Sequence, residues 1–143
     1  MPDVKEQVNR VGLALTARGL VFEHVSSYER PMISMNFGGG DFSYTHITIN
    51  VIFDEDGESA QVLTSPIASV PPEKTSRLLL TLNDCNTKFR WVKFYLDADN
   101  DVIADGDVLF DEQNAADVVI EMVMRAASII DDAYADIMRG IWS

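Results

Sequence analysis

The chain has 143 residues, and 11 Lys and Arg residues against 23 Asp and Glu residues give it a formal net charge of −12. This charge disfavours duplex nucleic acid and anionic lipid as partners, because both require a basic protein face. Hydrophobic residues make up 47% of the chain and charged residues 24%, which excludes a disordered or collagen-like protein. The length predicts a single domain over residues 1–143.

The cellular compartment is suggested by cysteine content and by the first residues. Cys85 is the single cysteine, which excludes an intrachain disulfide and a Cys-rich zinc site. Asp3 and Glu6 interrupt the region where a secretory signal would carry its apolar segment. No apolar run is long enough to span a membrane. These features predict a cytoplasmic protein that is not bound to a membrane.

An opening helix and four strands are predicted in the first half of the chain. The apolar spacing from Val4 to Leu15 predicts a helix over residues 3–18, and Gly19 follows as its end. Alternating or β-rich segments predict strands at residues 20–27, 32–37, 42–53 and 58–70. The Asp56-Gly57 pair predicts a tight hairpin between the last two strands.

The second half predicts a helix, two strands and a final helix. Pro71 and Pro72 are suited to a helix start. The predicted elements are a helix to about Asn86, a strand from Phe89, a strand over Val102–Phe110 and a helix from Ala115 to about Arg139. The order α-β-β-β-β-α-β-β-α is typical of an α+β domain in which helices pack on an antiparallel sheet.

Two segments invite a ligand-binding interpretation. The run from Asp97 to Asp101 resembles part of a calcium loop, but Val102 and Val108 stand where an EF-hand needs glycine and a bidentate glutamate. Residues 97–112 hold seven acids and no base, so only weak cation attraction is expected. The Gly38–Gly40 run lacks the remaining residues of a phosphate-binding motif and predicts a turn.

The sequence offers little support for catalysis. His24 and His46 lie on predicted strands among polar neighbours, without an evident orienting partner. Cys85 follows Leu78 and Leu82 at helical spacing, which favours a buried thiol over a nucleophile. We therefore predict a protein that is not an enzyme and that needs no cofactor and no metal.

The final helix carries more apolar residues than one core-facing stripe requires. Twelve of the 16 residues from Ala115 to Ile130 are apolar. The residues that widen the apolar arc to one side are Ile120, Met124, Ala127, Met138 and Trp142. Two interpretations remain open for them, a wide contact within the domain or an interface with a second copy or a protein client.

A family resemblance follows from the segments Leu82-Asn83-Asp84-Cys85-Asn86 and Phe94-Tyr95-Leu96-Asp97. The chain resembles the YbjN-like family, also named bacterial sensory transduction regulators, whose fold is similar to that of type III secretion chaperones such as the Tir chaperone. The resemblance implies a small, acidic, cytoplasmic and often dimeric protein without enzymatic activity.

Two functional hypotheses result. The first is a protein-binding module, a chaperone-like or regulatory adaptor that acts as a homodimer on an unknown client. The second is a small-ligand or cation sensor that uses residues 97–112 or a pocket beneath the Gly38–Gly40 turn.

Overall fold

Within residues 3–25 and 30–143, which the computed structural model describes, seven strands form one antiparallel sheet and three helices pack on it. The elements are α1 (Val4–Ala17), β1 (Glu23–Val25), β2 (Met32–Phe37), β3 (Ile47–Phe53), β4 (Ser59–Thr64), β5 (Ala68–Ser69), α2 (Thr75–Lys88), β6 (Lys93–Leu96), β7 (Asp101–Leu109) and α3 (Ala115–Trp142). The predicted α+β class and element order are confirmed, and β5 is an additional strand of two residues.

The sheet has the order β1-β2-β3-β4-β7-β5, and β6 pairs with β7. Alternate residues of β3 are buried, which places Ile47, Ile49, Val51 and Phe53 in the core. Helix α3 packs on β3, β4 and β7 and also contacts both other helices. The long final helix is therefore central to the core, with Ile130 and Ile137 fully buried.

Several predicted boundaries are wrong for identifiable reasons. The strand predicted from residue 42 begins at Ile47, and the strand predicted over 58–70 is interrupted at Pro66, which has no backbone N–H. The strand predicted from Phe89 begins at Lys93, because the backbone turns sharply before it. Helix α3 continues past Arg139 to Trp142. In the predicted 20–27 strand, Ser26 and Ser27 lie outside the described residues.

The loop between β2 and β3 folds onto α3. Gly38, Gly39 and Gly40 all have positive φ, which confirms the predicted turn. The Phe42 ring stacks on Tyr44 at a centroid distance of 4.9 Å, and the Tyr44 hydroxyl donates to the Ala127 carbonyl at 3.0 Å. Tyr44 is only 2% exposed. These contacts join the loop to α3.

Candidate functional site

The predicted interface residues of α3 differ widely in accessibility. Ile120 and Ala127 are 6% and 2% exposed and belong to the core. Met124 and Met138 are half-buried against that core, and Trp142 is 76% exposed. Contacts within the chain bury most of the surface of Ile120 and Ala127, and Ile120 also lines an open depression beside Met124.

Two neighbouring segments explain why this side of α3 is covered. Helix α1 packs along α3, and Arg18 forms an ion pair with Asp117 at 2.8 Å. The loop before β3 covers the next turns, where the backbone N–H of Ser43 donates to Asp131. That hydrogen bond lowers the pKa of Asp131 below its usual value. The first turns of the predicted face therefore serve packing.

Met124, Met138 and Trp142 remain as the accessible part of the predicted interface. Met124 and Trp142 are 18 residues apart on one helix, which separates their backbones by about 27 Å along the helix axis. They do not form one continuous patch, and their role as a dimer or partner interface stays a prediction.

A different apolar surface lies where α3 meets the edge of β7. The side chain of Leu109 is 82% exposed and that of Trp91 is 52% exposed. Between them and α3 runs an open groove of about 420 Å³ that also contacts Val118 and Met122. Large apolar side chains exposed beside an open, mostly apolar groove are typical of a protein-binding surface. We call this the Trp91–Leu109 groove.

The backbone around Trp91 is shaped to present its side chain. Trp91 has φ +76°, and the N–H of Val92 donates to the carbonyl of Arg90 at 2.9 Å. This bond from residue i+2 to residue i defines a γ-turn with Trp91 at its centre. A bulky residue with positive φ is strained by about 1–3 kcal/mol, and such strain clusters at functional sites.

Two arginines hold the Trp91 ring in place. The guanidinium carbons of Arg90 and Arg125 lie 5.4 and 5.3 Å from the ring centroid, within the range of cation–π attraction. Arg125 is itself fixed by Glu121, one helical turn earlier on α3, at 2.7 Å. The ring is thus linked to α3 through Arg125 while half of its surface stays exposed.

Sequence reasoning missed this surface because Trp91 was assigned to a regular strand. In a regular strand, successive side chains point to opposite faces of the sheet, so an exposed Trp91 would simply lie on the solvent face. The available signal was the Arg90-Trp91 pair directly before the short β6 segment. The γ-turn itself depends on contacts with β7 and α3 that the local sequence does not reveal.

The residues considered for catalysis are not brought together. His24 and His46 are both exposed and lie on different strands or loops, and His46 is 3.1 Å from the Asn36 side-chain oxygen. Cys85 is buried, and burial, followed by the Asp136 charge, raises the pKa of its thiol. A thiol held protonated in this way is a packing residue and a poor nucleophile.

Three carboxylates of the 97–101 turn approach one another. Ligand oxygens of Asp97, Asp99 and Asp101 lie within 4.8 Å of one another. However, Asp97 Oδ1 accepts the backbone N–H groups of Asp99 and Asp101, and Asp101 accepts the Ser69 hydroxyl. These bonds are those of an Asx-type turn, which accounts for the clustering without a cation.

None of the helices in the described part of the chain combines the length and the apolarity that crossing a bilayer requires.

The fold resembles that of a known secretion protein. A chain of the heterodimeric ExoU–SpcU complex, from the type III secretion system of Pseudomonas aeruginosa, superposes with a TM-score of 0.55 at 13% sequence identity. The superposition covers 91% of this chain and 96% of that chain. The α+β domain is therefore type III secretion chaperone-like, as the sequence predicts.

The sequence itself identifies the family. Residues 8–138 match the YbjN family model, described as "Putative bacterial sensory transduction regulator". The chain belongs to the YbjN family. A comparison with curated protein sequences finds no match.

Proposed function

We propose that this YbjN-family chain is a non-enzymatic, cytoplasmic protein-binding module that acts as a chaperone-like or regulatory adaptor. The observation that carries the proposal is the Trp91–Leu109 groove, where Trp91 is exposed on a strained turn and Leu109 is exposed at the end of β7. Large apolar side chains that serve only the packing of the domain are usually buried, whereas exposed apolar patches mark interaction sites. The structural neighbour in a heterodimeric complex supports a protein partner for a domain of this shape.

The residues that line the groove resemble those of a protein–protein interface, with an apolar centre and a charged rim. Trp91 and Arg125 belong to the residue types that dominate binding energies at protein interfaces. Asp107 and Glu121 lie at the rim of the groove and provide charges for selectivity. A partner side chain that entered the groove would remove apolar surface of Trp91 and Val118 from water, at about 25 cal/mol per Å² buried.

We further propose that the protein is a homodimer through the accessible part of α3. Trp142 is the most exposed large apolar side chain on that helix, and Met138, one turn earlier, provides a second, half-buried apolar contact. A dimer interface on α3 would leave the groove beside β7 free for a different protein.

The function is tested by affinity capture from native lysate with three forms of the tagged chain: wild type, Leu109→Lys and Leu13→Lys. Leu13 lies on α1 and is 73% exposed, so it is a matched control for a charge placed on an exposed leucine. We expect wild type and Leu13→Lys to retain the same partner and Leu109→Lys to lose it. Retention by Leu109→Lys, or equal loss from both variants, would overturn the assignment of the groove.

A further inference from the structure

We propose that the open edge of β7 accepts an added strand from the partner protein, in which apolar and basic residues alternate. This inference rests on the proposed protein-binding function and specifies both the mode of binding and the chemistry of the bound segment. It depends on the hydrogen-bonding directions of β7, on the end of β6 and on the charge of the surrounding surface.

The backbone groups of β7 point alternately to its two edges. The carbonyl of Val102 accepts the N–H of Ile67 at 2.8 Å, and the N–H of Phe110 donates to the carbonyl of Glu58 at 2.9 Å. The backbone N–H and C=O groups of the even-numbered residues of β7 therefore point toward β4 and β5. Because successive residues of a strand point to opposite edges, Asp107 and Leu109 point the other way.

On that other edge, strand β6 covers only part of β7. Lys93 pairs with Asp105 and Leu96 with Val102, so the pairing ends at Asp105. The γ-turn at Trp91 then takes the chain off this edge and onto the helix side of Gly106. Among the described residues, no strand lies beside Asp107 and Leu109 on this edge. The backbone N–H and C=O groups of Asp107 and Leu109 are therefore open on this edge. Exposed strand edges of this kind accept an added strand from another chain.

The two faces of an added strand would meet different surroundings. A residue opposite Val108 would lie on the helix side, in the groove formed by Val118, Met122 and Trp91, where an apolar side chain is favoured. A residue opposite Asp107 would lie on the outer face beside its carboxylate. Lys93 of β6 lies opposite Asp105, whereas the β4 neighbour of Asp107 is the uncharged Gln61, so a basic side chain is favoured opposite Asp107.

The same charge argues against a second copy of this chain on this edge. Because β6 covers this edge of β7 as far as Asp105, a second copy could pair only from Asp107 onward, which would bring Asp107, Asp111 and Glu112 of both copies close together. Like charges placed opposite each other across strands are destabilising. The occupant is therefore a segment of another protein.

The test uses a synthetic eight-residue peptide of alternating lysine and valine. Two controls share its length: a peptide of alternating glutamate and valine, and the lysine–valine peptide with N-methyl groups on its lysine amides. These amides would face Asp107 and Leu109 on the open edge. The chain carries Trp142→Phe, so that Trp91 is its sole tryptophan and its fluorescence reports binding.

We expect the lysine–valine peptide to change Trp91 emission and to slow hydrogen exchange of the Asp107 and Leu109 amides. The N-methylated peptide should bind about fivefold more weakly for each hydrogen bond lost. Asp107→Lys should reverse the preference between the lysine and glutamate peptides.

A second comparison acts on the chain instead of the peptide. Leu109→Pro removes the outward N–H, and proline is tolerated on a strand edge that faces solvent. Leu109→Ala removes the same side chain but keeps the N–H. Weaker peptide binding by Leu109→Pro than by Leu109→Ala supports strand addition.

Several results would overturn the inference: no binding of the lysine–valine peptide, binding without amide protection, or equal binding of the N-methylated peptide. Self-association that Leu109→Pro abolishes would show that a second copy occupies the edge. If the lysate partner is still lost from Leu109→Lys in these cases, the groove binds protein by another mode and only the strand mechanism fails.

Discussion

Gly106 on β7 lies directly beneath the backbone carbonyl of Trp91. A Cβ atom at position 106 would be 2.6 Å from the Trp91 carbonyl oxygen and 2.6 Å from the Met122 terminal methyl. The methyl group can move, but the oxygen belongs to the γ-turn backbone. The absence of a side chain at Gly106 is what allows the turn to sit against β7.

Gly106→Ala should therefore displace the turn. We expect a loss of about 1–3 kcal/mol in the free energy of unfolding, the usual effect of overpacking, together with altered Trp91 fluorescence. Urea denaturation measures the first and emission spectra of the Trp142→Phe background measure the second. Adding Trp91→Gly should not restore stability, because the colliding oxygen is a backbone atom. Unchanged stability of Gly106→Ala would contradict the close approach.

Substitution of Trp91 separates backbone strain from side-chain contacts. Trp91→Ala removes the ring but keeps the positive φ unfavourable, whereas Trp91→Gly also removes the strain. We expect the glycine variant to be more stable than the alanine variant by about 1 kcal/mol. Both variants should lose the lysate partner. Urea unfolding of the pair measures the difference, and an alanine variant as stable as the glycine variant would argue against the γ-turn.

Ionisation of Tyr44 makes the stability of the folded chain depend on pH in the alkaline range. Burial, followed by the Asp131 charge, raises the pKa of Tyr44 from 10.0 to about 12. The folded chain holds this proton more tightly than the unfolded chain, so the stabilisation is complete below pH 10 and is lost as the pH rises toward 12.

Tyr44→Phe should remove that part of the pH dependence. Near pH 8 the variant should be less stable by about 1 kcal/mol, because the hydrogen bond to Ala127 is lost. Between pH 10 and 12 its stability should fall less steeply than that of wild type, as followed by thermal unfolding. Tyr95→Phe is the comparison: burial, followed by the Asp105 and Asp97 charges, also raises the pKa of Tyr95, but its side chain is 40% exposed, so its substitution should change the slope less. Parallel curves for wild type and Tyr44→Phe would contradict the role of this buried phenol.

The proposed dimer is tested at Trp142. Because this side chain is 76% exposed in the single chain, Trp142→Glu should leave the melting temperature of the monomer nearly unchanged. We expect wild type to sediment as a dimer, Trp142→Glu as a monomer and the Leu13→Glu control as a dimer. A monomeric wild type, or a dimeric Trp142→Glu, would reject this interface.

Local patterns were sufficient to predict most of the fold. The alternation from Ile47 to Phe53 and the spacing along the helices are properties of short segments, and both determined the observed elements. The interface assignment was less complete, because the apolar arc at Ile120 and Ala127 is covered by α1 and by the loop that carries Tyr44. Contacts between distant segments decide which apolar residues stay accessible, and periodicity within one helix does not contain that information.

The Trp91–Leu109 groove was beyond sequence reasoning for the same physical reason. Its shape depends on the approach of Gly106 to Trp91 and on Arg125, which reaches the Trp91 ring from another element. Positive φ at a tryptophan is rare enough that no local propensity predicts it.

The most direct measurement of the central claim is site-specific photo-crosslinking in native lysate. The purified chain would carry a photoreactive residue either at position 109, beside the groove, or at position 13, on α1. We predict a discrete crosslinked protein from position 109 that unlabelled wild type displaces and that unlabelled Leu109→Lys does not. The crosslinked residue should map to an extended segment with basic and apolar residues. The same crosslinks from both positions, or a discrete product from position 13 alone, would contradict a binding site at the edge of β7.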